Sequence, residues 1–247
     1  MMMNNLMMIP FHTNISIDSI DGYNLLKRVN YYTIYMSCAP KSLLMYLPGD
    51  SSGIASLSKR SLSLVSQFSE SKLPKKFGLC LGSRGVIVFG SGQYNLLPPL
   101  KRNMTEFLSY TSFLDHPKDA SGYYIGVKGI SVNSQSVNLH TNTFSLDEFG
   151  NEGVKLSTIT PYTTLKTHIY WALLKKFAMS TNTIPRVPKI APFDYCINTT
   201  ELGTTQTGLN VPKIDLERSN GANWTIFGPN SMTRIIDDID RNSCLYN

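Results

Sequence analysis

Ile15 and Ile17 stand between polar residues, and Ile20 follows them just ahead of Asp21-Gly22. That alternation predicts a strand running into a turn. Residues 31–36 are a second β-rich run, Tyr-Tyr-Thr-Ile-Tyr-Met, so the two segments read as a hairpin entering a sheet. Residues 37–44, with Cys38 and Pro40, close the second strand, and residues 49–53 read as loop. Leu62, Leu64, Val65 and Phe68 then fit a short helix that Ser58 or Ser61 can cap. Farther along, Leu165, Ile169, Leu173 and Phe177 recur four residues apart, the mark of one buried face of an amphipathic helix. Residues 184–192 carry Pro185, Pro188 and Pro192 and read as a linker.

Composition agrees with this β-rich pattern. Only 16% of the 247 residues are charged, while 13 Tyr, 11 Phe and frequent Ser, Thr and Asn favour sheet structure of an extracellular style. The chain is long enough to bury a real core, as one large domain or two smaller ones. Its net charge of +6 is scattered over Lys72, Lys75, Lys76, Lys101, Arg102, Lys175 and Lys176 without a dense run. Such a distribution reads as a solvated basic surface, and a nucleic-acid partner is not expected. Residues 1–11 have neither the cationic start nor the apolar length of a signal peptide or membrane span, and no membrane partner is expected.

Candidate chemistry is sparse. Cys38, Cys80, Cys196 and Cys244 show no paired metal-ligand spacing, so disulfides suit them better than zinc, and four cysteines allow three pairings. Sequons at Asn14, Asn103, Asn198 and Asn223 are compatible with a secreted glycoprotein. Asp237, Asp238 and Asp240 lack the glycine and distal glutamate of a calcium loop and lie between Arg234 and Arg241, so they read as a solvated loop. His168 is a lone histidine on the helical segment and reads as structural or exposed. No metal and no cofactor is expected.

A family resemblance emerges from motifs taken in order. Residues 61–68 (SLSLVSQF) followed by residues 76–81 (KFGLCL) resemble a run found in plant pepsin-like proteins, and residues 85–90 fit the strand that follows it there. Residues 123–132 resemble the segment that leads into the second lobe. Residues 193–196, 211–216 and 221–225, with Asn230-Ser231-Met232, narrow the likeness to the plant xylanase-inhibitor and xyloglucanase-inhibitor branch of the pepsin-like aspartic protease family, the branch of the extracellular dermal glycoproteins. The resemblance covers residues 14–244. It implies a mainly β, pepsin-like acid-protease fold, with residues 1–13 an unstructured or non-family start. Residues 14–115 would be the remainder of a first lobe and residues 116–247 most of a second. Against the family pattern the chain is short at both ends, so an open sheet edge and exposed core faces are expected.

The same alignment of motifs bears on catalysis. In the family's second active-site loop a strand delivers Asp-Thr/Ser-Gly-Thr into the cleft. Here Ser157 takes the Asp position and Ile159 the Gly position. Aspartic proteolysis needs two carboxylates sharing a proton across one water. With a hydroxyl at 157 that route is expected to be absent. Ser157 lacks the Gly-x-Ser-x-Gly elbow of a serine nucleophile as well. The resemblance therefore implies a non-enzymatic, monomeric, secreted protein of the apoplast that occludes the cleft of a microbial xylanase or xyloglucanase. An aspartic endopeptidase and a fragment without binding function are the alternatives. In the family's inhibitors a loop ahead of the "VPxIxL" strand carries the side chain that reaches the enzyme; here that loop is Thr204, Thr205, Gln206 and Thr207, with Gln206 at the reaching position. Cysteines placed like Cys196 and Cys244 are bridged in pepsin-like folds, so this pair is expected to form a disulfide.

Overall fold

The computed structural model describes residues 9–21, 24–45, 47, 51–70, 73–81, 85–92, 94, 103–159, 162–200, 202–236 and 241–245. Two compact units divide the chain, Met1–Tyr110 with Ala120–Gly122, and Thr111–Asp119 with Tyr123–Asn247. The Asp237, Asp238 and Asp240 cluster lies outside the described residues.

In the first unit the strands are β1 (Ile9–Ile20), β2 (Leu25–Cys38), β3 (Phe77–Cys80) and β4 (Val86–Phe89), with short helices α1 (Lys41–Leu44) and α2 (Leu64–Glu70). Strand β1 begins earlier than the alternating pattern alone requires. Phe11 pairs with Met36 and Thr13 with Ile34, so residues 9–13 are sheet, not an unstructured start. The long β1–β2 hairpin contains a bulge where Thr13 faces Ile34 but Ile15 faces Tyr31. Thr33 sits there at φ 64°, the left-handed conformation of an inserted residue. Strict alternation would put Tyr31 and Ile34 on opposite faces. The extra residue turns both inward, where they are buried against Phe68 of α2. Phe68 meets the Tyr31 ring at 4.5 Å and the Phe89 ring, edge-on, at 4.8 Å. Beside it, the buried Gln67 amide acts as a strand partner for β2. Its Oε1 accepts from the Tyr35 N–H at 2.7 Å, and its Nε2 donates to the Tyr35 carbonyl at 3.1 Å.

The α2 helix starts later than its sequence suggests, and neither Ser58 nor Ser61 caps it. Ser63 does so: its Oγ accepts from the Ser66 N–H at 3.3 Å, and its carbonyl from the Gln67 N–H at 2.9 Å. Ile9, Phe11, Leu25, Leu26, Tyr32 and Met36 of the hairpin are exposed. The β1–β2 and β3–β4 sheets each have two strands among the described residues.

The second unit holds strands β5 (Phe113–Leu114), β6 (Tyr123–Ile125), β7 (Val127–Val132), β8 (Gln135–Ser136) and β9 (Val154–Leu156), then helix α3 (Thr167–Ser180). After α3 come β10 (Arg186–Val187), β11 (Cys196–Asn198), β12 (Thr204–Thr205), β13 (Gly208–Leu209), β14 (Ile214–Arg218), β15 (Asn223–Ile226), the single turn α4 (Gly228–Ser231), β16 (Met232–Ile236) and β17 (Arg241–Leu245). The strands assemble as sheets β15-β14-β7-β8, β10-β11-β17-β16, β5-β6-β9 and β12-β13. Helix α3 buries Ile169, Leu173 and Phe177, three of the four positions its periodicity marked, while Leu165 precedes the helix and packs half-buried on the same core. Phe177 is wholly buried among Ile125, Ile130, Val132, Ile197 and Ile214. The expected linker at 184–192 contributes a strand, β10, because Arg186 and Val187 find partners in Ile197 and Cys196. Directly opposed on β11 and β17, Cys196 and Cys244 form a disulfide with Cα atoms 4.1 Å apart. Cys38 and Cys80 are free and exposed.

Candidate functional site

Ser157 follows β9, whose register against β6 pairs Tyr123 with Leu156 and Tyr124 with Lys155. The strand ends there, and Ser157 stands exposed, its Oγ accepting the Ile159 N–H at 3.4 Å. Ile159 is itself exposed, an apolar side chain held out in a turn. A hydroxyl bonded to its own backbone two residues on is a turn-stabilising arrangement, and it leaves no carboxylate at 157.

The residues that hold this strand end were not visible in the sequence. Lys155 Nζ lies 2.7 Å from Asp119 Oδ2, and the Tyr124 hydroxyl donates to the same oxygen at 3.1 Å. His116 stacks on the Tyr124 ring at 4.3 Å, while its Nδ1 accepts the N–H groups of Lys118 and Asp119. The Asp119 hydrogen bond raises the Lys155 ammonium above its ordinary pKa, and burial raises the Tyr124 phenol. Asp119 and Lys155 are 36 residues apart, so only the folded sheet brings them together.

The Thr204–Thr207 segment forms a tight hairpin. Thr204 pairs with Leu209 and Thr205 with Gly208, leaving Gln206 and Thr207 as a two-residue tip. Thr205 Oγ1 accepts the Thr207 N–H at 3.2 Å and donates to the Gly208 carbonyl at 3.1 Å. Gly208 adopts φ +92°, a backbone conformation that glycine enters without strain. Below the tip the hairpin leans on α4. A Cβ on Gly208 would lie 2.8 Å from Pro229 Cδ and nearer still to its Cγ, and one on Gly228 would run into the Leu209 carbonyl. The base is thus pressed against a proline ring, while residues 204–207 are all exposed. Ser157 and Gln206 belong to separate sheets of the unit, β5-β6-β9 and β12-β13.

The sequons differ in setting. Asn14 and Asn223 are exposed on strands β1 and β15. Asn103 caps a 3-10 turn, its Oδ1 accepting from the N–H and hydroxyl of Thr105, and Asn198 Oδ1 accepts the Thr200 N–H. Among the described residues no three His, Cys, Asp or Glu side chains gather as metal ligands. His168 is exposed and borders a recess of about 200 Å³ with His140.

The strand-rich units have the pepsin-like aspartic protease fold, as likeness to solved structures shows. A crystal structure of edgp superposes with a TM-score of 0.86 at 36% identity, covering 96% of this chain and 61% of that one. Soybean basic 7S globulin superposes with a TM-score of 0.71 at 25% identity, covering 95% of this chain and 56% of that one. Residues 11–91 match the family model of the xylanase inhibitor N-terminal domain, and residues 122–245 that of the C-terminal domain; the chain belongs to this xylanase-inhibitor family of aspartic-protease-like proteins. A chitinase CLP of Oryza sativa subsp. japonica is 38% identical over 235 residues, 92% of this chain and 54% of the rice protein. A probable aspartic proteinase GIP2 of Nicotiana benthamiana is 35% identical over 241 residues, 91% of this chain and 55% of that protein. The chain spans about half the length of these relatives.

Proposed function

We propose that the protein is a catalytically inactive, secreted, monomeric member of the family that binds a microbial cell-wall xylanase or xyloglucanase and blocks its cleft with the Thr204–Thr207 hairpin. The observation that carries this reading is the hairpin itself. Its tip is exposed and polar, its hydroxyls are tied into the turn, and its base is pressed against Pro229. A loop ordered before binding loses little conformational freedom on association. Gln206 is the side chain offered, and its amide can hydrogen-bond the paired carboxylates of a glycosidase. Ser157 supports the non-enzymatic half of the reading, since a neutral hydroxyl supplies no shared-proton carboxylate. Exposure at Asn14 and Asn223 suits glycosylation in the apoplast, and among the described residues no helix is long and apolar enough to cross a membrane.

The test is inhibition of fungal xylanases and xyloglucanases by folded, oxidised protein. Gln206→Arg replaces a neutral hydrogen bond with a charge-assisted one and should tighten inhibition on the order of tenfold, whereas Gln206→Ala should weaken it. Inhibition indifferent to both substitutions would remove the hairpin from the contact. Folded protein inert against the whole panel would overturn the reading.

A further inference from the structure

The face of α3 turned away from the core carries Trp171, Lys175 and Met179 at four-residue spacing, and Asn182 extends the row past the helix end. Together with Arg186 and Asp194 these side chains line an open groove of about 610 Å³, floored by Tyr195. Trp171 is 52% exposed, a large share for so large an aromatic. We propose that this groove binds an acidic oligosaccharide of the uronic-acid class.

The polar groups are held in place before any ligand arrives. Tyr195 is buried and its hydroxyl lies 2.5 Å from that of Thr181, so the ring is fixed. The Arg186 guanidinium lies over that ring at 4.7 Å and makes no ion pair with a described carboxylate. Stacking of this kind occupies the face of the guanidinium and leaves its N–H edge for a carboxylate ligand. Lys175 is exposed and likewise has no described ion-pair partner. Asp194 is oriented from two sides: its Oδ2 accepts the Tyr170 hydroxyl at 2.9 Å, and its Oδ1 lies 3.5 Å from Lys189 Nζ.

An exposed indole ring beside an amide, a carboxylate and a guanidinium matches a pyranose, which offers an apolar C–H face and a ring of hydroxyl donors and acceptors. The charge narrows the class. Lys175 and Arg186 make no ion pair among the described residues, whereas Asp194, the carboxylate among the described residues that line the groove, is shared with Lys189, so a sugar acid is favoured over a neutral sugar. A peptide adding to the edge of β10 is disfavoured, because Pro185 and Pro188 on either side of Arg186–Val187 have no N–H to donate.

The experiment titrates trigalacturonic acid into the protein at low and moderate salt, followed by calorimetry and by the fluorescence of Trp171 in a Trp224→Phe background. Saturable binding that weakens with salt is expected, with xylotriose at least tenfold weaker. Trp171→Ala and Arg186→Gln should each weaken the acid at least tenfold, and both positions are exposed, so folding is not at risk. Lys128→Gln, an exposed lysine on β7, should leave binding unchanged. Absence of saturation, equal binding of xylotriose, or a loss from Lys128→Gln as large as that from Arg186→Gln would overturn the proposal. Equal competition by an oligoglutamate peptide with the same residue dependence would overturn it too. No glycosidase enters the assay, so the result stands apart from inhibition by the hairpin.

Discussion

Replacing Gly208 with alanine probes the hairpin on which the proposed contact depends. A side chain at φ +92° costs about 1–2 kcal/mol over glycine. The new methyl would also lie 2.8 Å from Pro229 Cδ, where carbon pairs ordinarily rest about 3.5–4.0 Å apart. Pro229 is fixed within α4, so its ring cannot swing aside, and overpacking of this kind costs roughly 1–3 kcal/mol. The sum is a destabilisation of about 2–5 kcal/mol. Both tryptophans, Trp171 and Trp224, lie in the second unit, so their fluorescence in a urea titration reports that unit alone. The midpoint should fall with little change in slope. Gly203→Ala is the control: a Cβ there meets nothing within 4 Å and the backbone is ordinary, so the change should stay within about 0.5 kcal/mol. Equal stability of the two variants would refute the account of a hairpin pressed against Pro229.

Other consequences are as direct. Cys196 and Cys244 are 48 residues apart, and replacing both by alanine should cost about 4 kcal/mol in the same titration; a change below about 1 kcal/mol would mean the unfolded chain is already constrained there. Burial, with the hydrogen bond to Asp194 and its charge, raises the Tyr170 phenol to about 12. Because the folded pKa exceeds the ordinary 10.0, the stabilisation is present below pH 10 and is lost as pH rises through about 12. The ultraviolet titration difference between wild type and Tyr170→Phe should therefore have its midpoint near pH 12, and a midpoint near 10 would contradict the hydrogen bond to Asp194. Ser157→Asp should give no proteolysis at acid pH, and measurable cleavage would show that one restored carboxylate suffices.

Local pattern made some of this molecule legible. The β1–β2 hairpin and the α3 face of Ile169, Leu173 and Phe177 were readable because each is written in side chains a few residues apart, where periodicity reports burial directly. The order of the family motifs, from the residues of α2 to those of β16, carried the fold class even though no single run did. What required long-range pairing was another matter. Ser63 caps α2 in preference to Ser58 or Ser61, and Thr33 bulges β2 so that Tyr31 and Ile34 face one way, because Phe68 must be enclosed from both elements. A Pro-marked linker became β10 once β11 lay beside it, and the hydrogen bonds of a sheet edge can recruit any segment that reaches them. Asp119 under the Ser157 strand, Pro229 under the Gln206 hairpin and Arg186 over Tyr195 are meetings of distant residues. By itself the sequence determined the local elements, the family motifs and the fold class they imply; what holds Ser157 and the Gln206 hairpin in place, and the groove beside α3, was decided by tertiary contacts that local periodicity does not encode.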